Sequence, residues 1–140
     1  LICYGGEKIT NKEKKEIKSL GIENKLIELK GDDQLLKSLY LKTNLLVSTS
    51  DYEGFGLNVL EAISLDCPVL VNKIKVFEDI FKDSIKYYEY NDEDNLISSL
   101  ENILLKNNYN INTKETNNIL DKYNWKNCGK KTFEIYNLID

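Results

Sequence analysis

Two glutamates, Glu53 and Glu61, stand eight positions apart and bracket the stretch Gly54-Phe55-Gly56-Leu57. Glycines on either side of Phe55 let the backbone come close to a ligand. The apolar stretch Leu57 to Leu65 follows at once and reads as a helix. The amides near Phe55, Gly56 and Leu57 then fall in a first helical turn, where they lack an intrahelical acceptor and lie at the positive end of the helix dipole. Such a turn can hold a phosphate. It can equally be a plain strand-to-helix connection, because glycine-rich turns are common there.

Glu61 sharpens the choice. The predicted helix carries Leu57, Val59, Leu60, Ala62, Ile63 and Leu65, is apolar nearly all round, and is expected to be buried. A carboxylate in that setting needs a partner or it neutralises. A ribose diol would serve, with two hydroxyls donating to the two carboxylate oxygens. A nearby Lys or backbone amides would serve as well.

The elements that position these residues alternate regularly. Leu1 to Tyr4 reads as a buried parallel strand entering the turn Gly5-Gly6. An amphipathic helix over Thr10 to Leu20 stops at Gly21. A second strand spans Lys25 to Leu29. The turn Gly31-Asp32-Asp33 then caps a helix through Tyr40. Leu45 to Val47 is the third strand, Pro68 to Val71 the fourth, and Ile85 to Tyr88 the fifth. A short helix over Val76 to Phe81 separates the last two. Helices over Glu93 to Lys106, Thr113 to Lys122 and Trp125 to Ile139 complete the chain, with Asp92 and Asn124 as caps. Trp125 is expected to anchor the last helix, and Tyr87, Tyr88 and Tyr90 to form core and rim.

This order predicts an α/β fold, a doubly wound, mostly parallel Rossmann-like sheet with helices on both faces. Ligands in such folds bind beyond the carboxyl ends of the strands. We expect one domain over residues 1–140. The start at Leu1 and the lack of Met point to a piece of a longer chain.

Composition excludes several chemistries. There is no His, which removes Ser-His-Asp and Cys-His catalysis and most zinc sites. All 19 basic residues are Lys, so bidentate phosphate recognition by Arg is unavailable to these residues. A net charge of −4 argues against nucleic-acid binding. Cys3, Cys67 and Cys128 form no metal-binding pattern and read as buried, reduced thiols of a cytoplasmic protein. No apolar run is long enough to span a bilayer.

The Glu53-to-Glu61 stretch resembles the two-glutamate signature of retaining GT-B glycosyltransferases, the glycosyltransferase group 1 family. Leu45 to Ser50 looks like the strand before that signature. Glu61-Ala62-Ile63-Ser64-Leu65-Asp66-Cys67-Pro68-Val69 looks like the segment after it, and Glu78 and Tyr123-Asn124-Trp125 match later positions. Asp66 stands where the family has a small Gly, and Thr49 where it has a Pro.

The resemblance implies that Glu53 meets the sugar of a UDP-, GDP- or ADP-sugar donor and that Glu61 binds its ribose. Gly54, Phe55, Gly56 and Leu57 would hold the diphosphate. Gly31 and Asp32 would line the base pocket, and Gly5 and Gly6 would lie near the nucleotide. No cofactor or metal is expected. The acceptor would be a glycan or lipid-linked hydroxyl. A separate N-terminal domain would bind it and supply a basic pair, with at most peripheral membrane association. Other readings stay open. One is a non-catalytic α/β nucleotide-binding or scaffold module. Another is a sugar-nucleotide epimerase or a phosphorylase, although neither the His nor the cofactor-binding Lys pattern of those enzymes is visible.

Overall fold

The computed structural model of the chain describes residues 1–5 and 8–138. Strands and helices alternate as expected. They form two compact units, Leu1–Leu39 and Tyr40–Asp140.

In the first unit, β1 (Ile2–Tyr4) and β2 (Ile27–Leu29) pair in parallel, with Tyr4 opposite Leu29. The connecting helix α1 (Asn11–Ser19) starts with a capping box. The Glu13 carboxylate accepts from the Thr10 amide at 2.6 Å, and Thr10 Oγ1 accepts from the Glu13 amide at 3.3 Å. Gly21, with φ +65°, stands just beyond the end of α1, where a left-handed residue ends a helix. The expectation of a buried first strand fails: Leu1, Ile2, Cys3 and Ile27 are exposed. An apolar run reveals strand character but not which neighbours cover it. The helix α2 (Asp33–Lys42) begins under an Asp32 cap, whose Oδ1 accepts from the Leu35 amide at 3.0 Å.

The second unit is built on the parallel order β3 (Leu46–Ser48), β4 (Val69–Asn72) and β5 (Lys86–Tyr88). The strands therefore belong to two parallel ladders, each joined by helical crossovers in the Rossmann-like manner. The central strand β4 is buried along its whole length, consistent with its unbroken Val69-Leu70-Val71 run. The helices are α3 (Leu57–Ser64), α4 (Lys75–Phe81), α5 (Glu93–Leu104), α6 (Thr113–Lys122) and α7 (Trp125–Tyr136). Phe77 and Phe81 of α4 are fully buried with Val59, Ala62 and Ile63 of α3 and Ile119 of α6. Tyr109, in the Asn-rich loop, joins the sheet through its hydroxyl, which accepts from the Val69 amide at 2.7 Å.

Both ends of α3 are set by backbone geometry. At its start Gly56 adopts φ +89°, and a Cβ there would lie 2.6 Å from the Phe77 ring. At its end the Asp66 amide donates to Ile63 O at 3.3 Å and the Cys67 amide to Ala62 O at 3.0 Å. That is a Schellman closure around Asp66 at φ +56°. Asp66, at the place of the family's Gly, thus holds a left-handed position.

The cysteine and Trp125 expectations change, and the tyrosines form core and rim as expected. Cys67 is buried, but Cys3 and Cys128 are exposed, because α7 buries none of its residues and β1 is open to solvent. Trp125 is 82% exposed and anchors nothing among the described residues. The start of α7 is held instead by Asn124, whose Oδ1 accepts from the Asn127 amide at 2.9 Å. Of the three tyrosines, Tyr88 is core, Tyr87 donates to Phe77 O at 3.0 Å, and Tyr90 is exposed.

Two substitutions follow from the ends of α3. Gly56→Ala adds left-handed strain and a clash with a buried ring, and is expected to cost about 2–4 kcal/mol in urea unfolding. Asp66→Gly relieves the strain at an exposed position and is expected to stabilise by about 0.5–1 kcal/mol in the same measurement. Equal stability of wild type and Gly56→Ala would refute the geometry of this turn.

Candidate functional site

The loop from Thr49 to Gly56 leaves the carboxyl end of β3 and delivers the chain to α3. Its side chains divide into those that face the core and those that do not. Phe55 turns inward. Its ring meets Tyr123 edge-on at 5.0 Å between centroids and Phe81 at 6.3 Å. These contacts leave only its backbone to serve a ligand. Gly54 is exposed, and a Cβ there would meet nothing within 4 Å. The two glycines therefore differ. Gly56 is required by the fold, whereas the open space at Gly54 is available to a ligand.

The amides of Gly54, Phe55, Gly56, Leu57 and Asn58 make no hydrogen bond among the described residues. No side chain caps α3. The nearest candidate, Asn58, turns its Oδ1 to the Val59 amide at 2.9 Å. Val59 and Leu60 also donate to Gly56 O, each at 3.1 Å. A row of unpaired amides thus ends at the start of α3, where the helix dipole favours an anion.

Glu53 is half-buried in the same loop, and its carboxylate takes no hydrogen bond among the described residues. Glu61 lies one helical turn beyond Leu57 on the same face. The expectation of burial there is overturned: Glu61 is exposed and Leu57 is 55% exposed. The buried arc of α3 is Val59, Ala62 and Ile63. Apolar residues on the remaining arc do not force it inward, since exposed single leucines are ordinary. The partner question also has an answer within the unit. The Tyr40 hydroxyl, from the end of α2, donates to Glu61 Oε2 at 3.3 Å.

Behind the loop stands Asn72, the last residue of β4. Its Nδ2 donates to Ser50 O at 3.3 Å and to Asp51 Oδ1 at 3.2 Å. Ser48 Oγ lies 3.3 Å from Ser50 Oγ. Sequence reasoning missed Tyr40 as part of this site and gave the side chain of Asn72 no role. The available signal for Asn72 was a polar residue closing an otherwise apolar strand.

The other expected positions lie in the first unit. Gly5 has φ +71°, and its amide donates to Leu29 O at 3.1 Å. Asp32 caps α2 through its side chain, while its carbonyl accepts from the Tyr4 hydroxyl at 3.0 Å. Gly31 leaves room for Leu35, whose side chain a Cβ would meet at 2.5 Å. Gly5 and Asp32 thus gather at the carboxyl ends of β1 and β2. Gly6 lies outside the described residues.

Known proteins are similar to this chain. An uncharacterized glycosyltransferase of Methanocaldococcus jannaschii is 29% identical over 85% of this chain and 32% of its own length. An O-antigen chain mannosyltransferase B of Escherichia coli is 29% identical over 76% of this chain and 28% of its own. The O-antigen chain mannosyltransferase RfbU of Salmonella typhimurium is 38% identical over 49% of this chain and 19% of its own. The chain thus spans about a third or less of the length of these relatives. No helix among the described residues is long and apolar enough to cross a membrane. The model of the glycosyl transferases group 1 family matches residues 1–124, the whole of both ladders and the loop between Glu53 and Glu61, and the chain belongs to that family.

Proposed function

We propose that this chain is the donor-binding part of a retaining glycosyltransferase that moves a hexosyl group from a nucleotide diphosphate sugar to an acceptor hydroxyl in glycan synthesis. The row of unpaired amides from Gly54 to Asn58 carries the reading. Bond breaking places negative charge on the departing diphosphate. Amide dipoles already aimed at that charge stabilise it without reorganising. Glu53, at the lip of the loop, orients the sugar ring through its hydroxyls. Glu61 accepts from the ribose diol, and the long Tyr40 bond is loose enough to yield to it. Gly31, Asp32, Gly5 and Gly6 serve the base side of the nucleotide.

The mannosyltransferase names among the relatives favour a hexosyl donor. An acceptor-binding domain elsewhere in the full protein completes the enzyme on the cytoplasmic side, so these residues alone bind donor weakly and turn over little. One observation favours a second reading, a non-catalytic α/β module: Tyr40 already gives Glu61 a partner, which a purely structural glutamate would also have.

Calorimetric titration of the full-length protein with UDP-, GDP- and ADP-sugars separates the two. One donor is expected to bind, and Glu61→Ala is expected to weaken it about 10- to 100-fold, the worth of hydrogen bonds to a charged group. Failure of every donor to bind the wild type would favour the non-catalytic module. Unchanged binding in Glu61→Ala would remove only the ribose assignment.

A further inference from the structure

We propose that Asn72 is a positioning residue that holds the donor loop in its binding shape through Ser50 and Asp51. The proposal rests on the reading of the Glu53-to-Leu57 loop as the donor site. Asn72 closes β4 at the edge where the loop passes and is 2% exposed. Both hydrogen-bonding contacts of its side chain run to the loop, at 3.3 Å to the Ser50 carbonyl and 3.2 Å to the Asp51 carboxylate. Its Oδ1 is buried and has no hydrogen-bond partner among the described residues.

The orientation of the amide is settled by chemistry. The two loop atoms are both acceptors, so only the NH2 end can face them. An unpaired buried carbonyl is unfavourable, and a chain selected only for core stability would carry an apolar side chain here, as at Val69, Leu70 and Val71. What the asparagine supplies is two N–H groups on the segment that leads to Glu53. Ser48, also buried, places its hydroxyl 3.3 Å from that of Ser50 and supports the same point. The loop is thereby tied to the centre of the sheet two residues before Glu53, which limits the wandering of its free amides. Preorganisation of this kind acts on donor binding and on transition-state stabilisation without any contact between Asn72 and substrate.

An exchange of groups tests it in the full-length enzyme. Asn72→Asp sets a carboxylate against the Asp51 carboxylate and the Ser50 carbonyl. It is expected to weaken donor binding about tenfold and to loosen the backbone at 50–56, read as lower NMR order parameters there. Asp51→Asn added to Asn72→Asp lets the amide introduced at position 51 donate to the carboxylate introduced at position 72, and is expected to recover most of both losses. A residue that only fills the core would show no such rescue. Higher or unchanged order parameters, or a folded double variant without recovery, would each overturn the proposal. If Asn72→Asp does not fold, the double variant decides by the same two readings. If the wild type binds no nucleotide sugar, the donor-site reading falls, and the order parameters still decide whether Asn72 holds the loop.

Discussion

The contact between Gly56 and Phe77 governs the geometry of this protein's most chemically suggestive region. At φ +89° the chain turns sharply from loop into helix, and no side chain fits between that turn and the buried ring. The ring cannot retreat, because Phe77 and Phe81 lie fully buried at the centre of the second unit. The direction of α3, and therefore the direction of its free amides, is inherited from the packing of α4. Phe55 adds a second constraint. With its ring turned in against Phe81 and Tyr123, the backbone on either side of it is turned out. The course of this backbone thus depends on aromatic packing on its inner side.

Around that backbone the side chains take complementary tasks. Glu53 is left without a protein partner among the described residues, whereas Glu61 has a long bond from Tyr40. Carboxylates differently satisfied in one site suit a ligand that presents hydroxyls, since each oxygen not already saturated can accept. Asn72 faces the other way, toward Ser50 and Asp51 of the loop itself. The stretch from Thr49 to Gly56 holds no cationic side chain, so the proposed anion site rests on amide dipoles within the loop.

Much of the fold was legible because period and punctuation are local. The caps at Thr10, Asp32, Asp92, Asn112 and Asn124 are short polar side chains that satisfy amides within their own turn, and such bonds need no distant partner. The glycine-flanked loop and its two glutamates were legible for the same reason. Burial was not. Glu61 was read as buried from the apolar company it keeps on α3, yet those neighbours divide between a covered and an open arc. The same limit explains β1, Cys3, Cys128 and Trp125, all apolar or soft residues that face solvent here. Asp66 shows the reverse case. There a residue ill suited to a left-handed position closes the helix all the same.

The sequence by itself determined the alternation of strands and helices, the place of the phosphate-type turn, and the family to which that turn belongs. These are properties of neighbours along the chain, where spacing translates directly into geometry. Only the tertiary structure decided that Gly56 is required by Phe77 while Gly54 stands open, that Phe55 contributes backbone alone, that Tyr40 reaches Glu61, and that Asn72 ties down Ser50 and Asp51. Each of those facts joins residues about 20 or more positions apart. Nothing in a local pattern states which distant side chain will arrive, because that depends on how the layers pack and not on the order of the residues within any one of them.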